Sequence, residues 1–207
     1  MTAAILAGAL AQALAWVVVR RRGASVWTTT APVLAVLGVV AIVVAGPALS
    51  AEVSVPLALG IGVVVGAALY AATFVFVRLV GPRWRALDAQ ARTLYAQRSR
   101  LSAPLAIAVA AGIAAVGEEL FWRGLVVDWA TDAFGADVEA GVVTWVGYVV
   151  VNAFSGNLAI VAGAVVGGAV WTALAIWSGG VLASVVCHAC WTGLMLARPV
   201  IGGRTGP

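Results

Sequence analysis

Long apolar stretches follow one another along nearly the whole chain, with short polar segments between them. A hydrocarbon core about 30 Å thick needs roughly 20 apolar residues for each helical span. Because lipid offers backbone amides no hydrogen-bond partner, an open chain crosses a bilayer as helices. The sequence therefore predicts an all-α fold, a polytopic transmembrane helical bundle of about seven spans. These predicted spans are residues 2–19, 27–47, 55–77, 102–127, 138–154, 157–177 and 181–200.

The arginines of the connecting segments indicate how this bundle is oriented. Between Arg78 and Arg100, both included, there are six arginines and one acidic residue, Asp88. An excess of arginine marks cytoplasmic segments, so this segment is predicted to lie inside, with the amino terminus outside and the carboxyl terminus inside. The same orientation places Arg20 to Arg22, Arg198 and Arg204 inside and Glu52, Asp128, Asp132, Asp137 and Glu139 outside.

The basic segment also carries a second pattern. Trp84, Leu87, Leu94 and Tyr95 recur in it at helical spacing. This spacing is typical of an amphipathic helix lying along the inner headgroup layer, and a solvated connector is the alternative. Either form fits a segment that lies outside the hydrocarbon core.

The composition agrees with a protein whose solvent is the lipid bilayer. Hydrophobic residues make up 63% of the 207 residues and charged residues only 10%, and a soluble domain of this size cannot bury so much apolar surface. We interpret residues 1–207 as a single membrane domain, multi-pass in the cell membrane, with spans and a basic cytoplasmic loop in 1–100 and a core in 101–200. Because the positive charges lie beside the spans, lipid headgroups are the expected partner, and nucleic acid is not.

The fourth span ends in charged residues that lipid does not tolerate without partners. Glu118, Glu119 and Arg123 lie within two helical turns, and each ionised side chain at the centre of a span costs roughly 2.5–3.5 kcal/mol. Glu119 and Arg123 are four residues apart, which is the spacing of a helical ion pair. Glu118 points about 100° away, and we interpret it as a general base toward water. The alternative is a structural pair that caps the helix and joins two spans.

Two later spans add polar groups at membrane depth. His188 is the only histidine, and it shares a helix face with Ser184 and Thr192. A histidine inside a span indicates a functional role more often than a structural one. Asn152 follows Tyr148 on one face of the fifth span, and its amide suits either catalysis or a hydrogen bond between two helices.

Metal or redox chemistry is the competing interpretation of these groups. Two glutamates and one histidine offer three ligands, but the paired-histidine helix motif of zinc peptidases is absent and Arg123 is expected to occupy one carboxylate. Cys187 and Cys190 flank the histidine, and small cysteines are common in packed spans. We therefore predict neither a metal ion nor another cofactor.

The sequence EELFWRG, Glu118 to Gly124, resembles the EExxxR motif of the CAAX protease and bacteriocin-processing (CPBP or Abi) family, which includes the type II CAAX prenyl endopeptidases. The resemblance covers roughly residues 101–196 and makes this region a CPBP-like catalytic core. It implies that Glu118 activates water, that Glu119 and Arg123 form its supporting pair, and that His188 is the histidine of the later motif.

Three positions depart from the family pattern. The segment YVVVN, Tyr148 to Asn152, has tyrosine and asparagine where the family's FxxxH motif has phenylalanine and histidine, and Thr192 stands where an HxxxN-like motif has asparagine. The resemblance makes Asn152 and Thr192 catalytic candidates, as hydrogen-bonding groups for an oxyanion or a water. Neither side chain takes up a proton as histidine does.

These observations favour an intramembrane endopeptidase that hydrolyses peptide bonds of a membrane-associated peptide or protein by a glutamate-activated water. A second hypothesis is a catalytically impaired family member that acts as a membrane binding, immunity or regulatory protein, with the missing histidine as its signature. A small transporter that uses the carboxylates as a proton site is a third.

Overall fold

The computed structural model describes residues 1–46, 51–135 and 137–200. Within these residues the chain forms eight helices and no strand, so the predicted all-α bundle of membrane type is confirmed. The helices are α1 (Thr2–Arg22), α2 (Thr30–Ala45), α3 (Val55–Val80), α4 (Arg85–Arg98), α5 (Ala103–Phe134), α6 (Asp137–Ala153), α7 (Leu158–Ser178) and α8 (Leu182–Ala197). Arg204 and residue 47, the predicted end of the second span, lie outside the described residues.

Seven of these helices fall on the seven predicted spans, but they differ in length. Four of them, α1, α3, α5 and α7, are long and apolar enough to cross a membrane, while α2 and α8 are shorter apolar helices. Helix α6 belongs to neither group and begins with Asp137 and Glu139 in its first turn. Length and composition therefore support four spans directly.

Helix α5 departs furthest from its predicted bounds, which end at residue 127. The helix continues to Phe134 and stops at Gly135, whose φ of 72° is the left-handed conformation that commonly ends helices. Asp128 and Asp132, expected in an outside connector, lie instead in its last turns. No glycine or proline occurs between Gly124 and Gly135, so nothing in the backbone stops the helix earlier.

Glycines allow two pairs of helices to approach closely. A Cβ at Gly62 would lie 2.8 Å from the Ala183 carbonyl oxygen, and one at Gly66 would lie 2.7 Å from that of Cys187, so α3 and α8 meet at backbone distance. At Gly38 a Cβ would lie 2.7 Å from Cα of Gly117, which is how α2 crosses α5. This second crossing comes immediately before Glu118 and fixes where that residue stands.

The basic segment forms helix α4, the helical one of its two predicted alternatives. Its two glutamines bind the loops beside it. Gln97 Oε1 accepts from the Val26 amide at 2.9 Å, and Gln90 Oε1 accepts from the Leu158 amide at 2.6 Å. Leu87 is buried. Helix α4 is thus joined to the α1–α2 loop and to the start of α7, and its location at the headgroups stays a prediction.

Hydrogen bonds join the start of one helix to the end of another, as expected for helices that run antiparallel. At one end of the bundle Trp129 Nε1 donates to Thr2 Oγ1 at 3.1 Å, and the Glu52 amide donates to the Ser178 carbonyl at 2.7 Å. At the other end α4 joins the two loops already described. These are the two ends that the arginine distribution predicts to be external and cytoplasmic, respectively.

Candidate active site

Helix α5 presents the charged residues of the site at an irregular point of its backbone. Glu118 and Glu119 end a short α-helical stretch, and a π-helical segment, Leu120–Val126, follows directly and contains Arg123. Single π-helical turns occur inside α-helices and are frequent at functional sites. The widened turn changes the angles at which the side chains leave the helix.

Glu119, Arg123 and His188 form one connected group in the interior. Arg123 Nη1 donates to Glu119 Oε1 at 3.2 Å, so the ion pair expected from the spacing of four residues is present. His188 Nδ1 lies 2.9 Å from the same oxygen. The side chains of Glu119 and Arg123 have no solvent exposure. Such burial is tolerated only when each charge has partners, because desolvation costs several kcal/mol per ion.

Helices α6 and α7 complete the surroundings of Arg123. Its Nη2 donates to the Gly168 carbonyl at 3.0 Å and its Nε donates to Thr172 Oγ1 at 3.2 Å. Its guanidinium lies 4.3 Å from the centre of the Tyr148 ring. The Glu119 carboxylate, the Thr172 hydroxyl, the Gly168 carbonyl and the Tyr148 ring therefore replace the water that hydrates an exposed arginine.

Glu118 has a different set of neighbours from Glu119. Its Oε1 accepts from Gln12 Nε2 at 2.7 Å, and Gln12 Oε1 in turn accepts from Trp122 Nε1 at 2.9 Å. No salt bridge to Glu118 occurs within residues 1–46, 51–135 and 137–200. The two adjacent carboxylates are thus distinct: one is bound to Arg123 and His188, and the other to a neutral amide.

The His188 ring is held from two directions. Its Nδ1 faces Glu119, and its plane stacks on the Trp171 ring with centroids 3.6 Å apart and an interplanar angle of 12°. An imidazole whose Nδ1 hydrogen bonds a carboxylate keeps Nε2 as its second working nitrogen. The arrangement fixes both the position and the rotation of the ring.

Asn152 lies in the same interior but binds other partners. Its Oδ1 accepts from Trp16 Nε1 at 3.1 Å, and its Nδ2 donates to the Tyr148 carbonyl at 3.0 Å. Thr192 is half-buried on α8 and lines an apolar cavity of about 510 Å³ between α3, α4, α7 and α8. In the described part of the chain, no hydrogen bond joins Asn152 or Thr192 to Glu118, Glu119, Arg123 or His188.

The donor set offers little to a metal ion. Across the residues that the structure describes, no group of three or more histidine, cysteine, aspartate and glutamate side chains is arranged to hold one. Cys187 and Cys190 are both free thiols. The single histidine is bound to Glu119, and that carboxylate is shared with Arg123.

Sequence reasoning missed three members of the site. Gln12, Trp171 and Thr172 bind Glu118, His188 and Arg123 respectively, and none of them was predicted. Gln12 had a signal, because it is the only amide side chain in the first apolar stretch. Trp171 and Thr172 had none, since tryptophan and threonine are ordinary residues of a packed apolar helix.

The cluster lies in the middle part of its helices. His188 is about 9 Å along the helix axis from Leu182, and Gln12 is about 15 Å from each end of α1, Thr2 and Arg22. The fold and the cluster together define a helical membrane protein with a charged interior site.

Comparison with family models gives a match over the carboxyl-terminal part of the chain. Residues 100–194, slightly less than half of the chain, match the model of type II CAAX prenyl endopeptidase Rce1-like proteins. Over these residues the chain is similar to the CAAX protease (CPBP) family, as its EExxxR motif indicated. The matched region contains all six predicted site residues. Comparison with curated proteins and with solved structures gives no match.

Proposed function

We propose that this protein is an intramembrane endopeptidase, multi-pass in the cell membrane, which hydrolyses a peptide bond of a membrane-associated peptide or protein. A protease family supports a peptidase role in general. One observation carries the finer proposal: of two adjacent buried carboxylates, Glu119 is bound by Arg123 and His188, whereas Glu118 accepts one hydrogen bond from a neutral amide. Because no salt bridge to Glu118 occurs among the described residues, we assign Glu118 as the carboxylate that takes the proton.

In the proposed reaction Glu118 removes a proton from a water molecule as the water oxygen bonds to the scissile carbonyl carbon. The carbonyl π electrons move to oxygen, which becomes an oxyanion. Collapse of this intermediate re-forms the carbonyl and breaks the carbon–nitrogen bond, and the departing amine takes the proton. General acid–base catalysis of this kind contributes about 10²–10⁴-fold to a rate.

His188 is the group we propose to stabilise the oxyanion or to pass the proton to the amine. Glu119 orients the ring through Nδ1, which leaves Nε2 available to substrate. Glu119 also stabilises the protonated ring, as a carboxylate does for a catalytic histidine in serine proteases. Arg123 keeps Glu119 ionised and fixed, so it supports catalysis through another residue.

For Asn152 and Thr192 we propose smaller parts. Asn152 connects Trp16 on α1 to Tyr148 on α6, and Tyr148 covers the Arg123 guanidinium. Asn152 therefore helps to hold Tyr148 in place against Arg123. Thr192 lines the apolar cavity, whose wall also includes Trp191. The Trp191 ring lies 6.3 Å from the His188 ring, centroid to centroid, so Trp191 stands between this cavity and the imidazole.

A cleavage assay against a panel of membrane-anchored peptides, with purified protein in vesicles, tests the proposal. We expect turnover by the wild-type chain and a loss of about 10²–10⁴-fold in Glu118→Gln. Glu139→Gln is the matched control, because Glu139 is an exposed glutamate at the start of α6. Full activity of Glu118→Gln would contradict the proposed mechanism.

A chelation arm separates glutamate catalysis from metal catalysis. If Glu118 activates water by itself, turnover survives extensive dialysis against a strong chelator. Loss of turnover that zinc alone restores would reverse the assignment and make His188 a ligand.

A second function is favoured by a specific observation, the asparagine at position 152. With no second histidine in the sequence, proton transfer depends on Glu118 and His188 alone. The alternative is a family member that binds membrane peptides in an immunity or regulatory role without cleaving them. Peptides that bind the wild-type chain in vesicles yet stay intact in every cleavage assay would support this alternative.

A further inference from the structure

Helix α1 reaches the site from outside the region that matches the family model. Gln12, only 1% exposed, bridges Glu118 and Trp122, and both of those residues belong to α5. Position 12 lies far from the matched residues 100–194. A buried glutamine in an apolar span is expensive unless its amide is satisfied, and here both ends of the amide are bound.

The hydrogen bonds fix which way the amide of Gln12 points. An indole N–H only donates, so the atom that faces Trp122 must be the Gln12 carbonyl oxygen. The NH₂ group then faces Glu118 and donates to its carboxylate. Trp122 thereby makes Gln12 a committed donor, and a donor toward Glu118 favours the ionised carboxylate over the protonated one.

A single face of α1 makes these contacts. Gly8, Gln12 and Trp16 follow one another at intervals of four residues and lie on one face. A Cβ at Gly8 would lie 2.6 Å from the Phe121 ring, so only glycine lets α1 come this close to α5. One turn beyond Gln12, Trp16 donates to Asn152. This face of α1 thus contacts both the EELFWRG segment, through Glu118, and the YVVVN segment, through Asn152.

We propose that Gln12 is a positioning residue, supplied by α1, which orients the Glu118 carboxylate as an acceptor for the proton of the attacking water. The proposal rests on the proposed function where it concerns turnover. Where it concerns the hydrogen bond to Glu118, it stands independently of any activity. The two parts are therefore tested by different measurements.

Infrared spectroscopy of the protein in vesicles, without substrate, tests the hydrogen bond. The Glu118 carboxylate band is assigned by its loss in Glu118→Gln. We expect this band to shift in Gln12→Met, which keeps the side-chain volume without an amide, and to shift less in Trp122→Phe. Leu10→Met is the matched control, because Leu10 is an exposed residue of the same helix. An unchanged band in Gln12→Met overturns the proposal.

Kinetics test the consequence for turnover. We expect Gln12→Met to lower kcat by about 10²-fold, the scale of a misplaced catalytic group, with KM changed little because no substrate contact is lost. In the Glu118→Gln background the same substitution is expected to have no further effect on kcat. Unchanged kcat in Gln12→Met, with Glu118→Gln inactive, overturns the positioning role alone. Full activity of Glu118→Gln overturns the proposed function, and the infrared result still decides the hydrogen bond.

Discussion

Helices α4 and α5 each contain an arginine four residues after an acidic side chain, and the two pairs differ in almost everything except spacing. Arg92 binds Asp88 at 2.9 Å on the surface of α4, with side-chain exposures of 46% and 31%. Arg123 binds Glu119 at 3.2 Å inside α5, and neither side chain is exposed at all. Judged by distance alone, the surface pair would be the stronger.

Burial reverses that order. An exposed ion pair is screened by water and contributes about 0–1 kcal/mol. A buried pair has lost its hydration, so removal of one partner leaves an uncompensated charge and costs about 3–5 kcal/mol. The bonds from Arg123 to Thr172 and the Gly168 carbonyl show how completely the interior replaces water around this cation. The surroundings of an ion pair, more than its geometry, therefore decide how much its loss destabilises the fold.

The largest effect is therefore expected at Arg123. Arg123→Met should lower the free energy of unfolding by about 3–5 kcal/mol, because Glu119 stays buried without the arginine that it is paired with. Unfolding in mixed micelles with increasing denaturing detergent measures this change. Arg92→Met is the matched control, with an expected change of about 1 kcal/mol or less. Equal losses in the two variants would contradict the comparison.

The sequence allowed the local part of this site to be predicted, but not the part that depends on tertiary structure. Glu119 and Arg123 belong to one helix, so their spacing alone predicted the pair. The bonds from Gln12 to Glu118 and from His188 to Glu119 join residues that are 106 and 69 positions apart. No periodicity encodes which face of one apolar helix meets which face of another.

The helices themselves were predictable for a similar physical reason. The apolar stretches predicted the positions of seven helices, of which four are long and apolar enough to cross a membrane. The end of α5 was wrong by seven residues, because Asp128 and Asp132 marked the end of apolarity and not the end of the helix. The crossing at Gly38 and Gly117 had no recognisable signal among the 24 glycines of the chain.

Asn152 is buried like Arg123 but carries no charge, so its replacement separates the effect of burial from that of charge. Asn152→Ala should lower the free energy of unfolding by about 1–3 kcal/mol, because Trp16 Nε1 loses its acceptor while it stays in the interior. The same detergent titration measures the loss. Asn157→Ala gives a reference loss of about 0.5–2 kcal/mol, because Asn157 caps α7 by accepting from the Ala159 and Ile160 amides. A loss as large as that of Arg123→Met would mean that net charge is not what distinguishes the α5 pair.

Asn152→His tests the site rather than the fold. It restores the residue type that the family pattern has at this position. If the native chain is a weakened peptidase, the folded variant should cleave peptides faster than the wild type in the vesicle assay. A folded variant and a wild type that are equally inert on every peptide would favour the binding function.

Tyr95 extends the comparison to a neutral group of α4. Burial raises the pKa of its phenol to about 12 from an ordinary value of 10.0. The folded state therefore holds the proton more tightly than the unfolded state. Its contribution to stability is complete below pH 10 and is lost as the pH rises toward 12. Spectrophotometric titration should show one phenol ionising near pH 12 that is missing in Tyr95→Phe, and the same step in both proteins would contradict the burial of Tyr95.

The smallest effect is expected at Asp88. Asp88→Asn removes the carboxylate that binds Arg92, but water replaces it at once because Arg92 is exposed and Asp88 is partly exposed. Pairs at this spacing on a helix surface are worth about 0.3–0.5 kcal/mol, so the free energy of unfolding should fall by no more than about 0.5 kcal/mol.

Added salt distinguishes the ion pair of α4 from that of α5 most clearly. At about 1 M salt the screening length is about 3 Å, so the difference between Asp88→Asn and wild type should disappear. The loss in Arg123→Met should persist at the same salt concentration, because mobile ions do not enter the interior that surrounds Glu119. If added salt weakened both effects equally, the α5 pair would be accessible to solvent, and the distinction between the two arginines would fail.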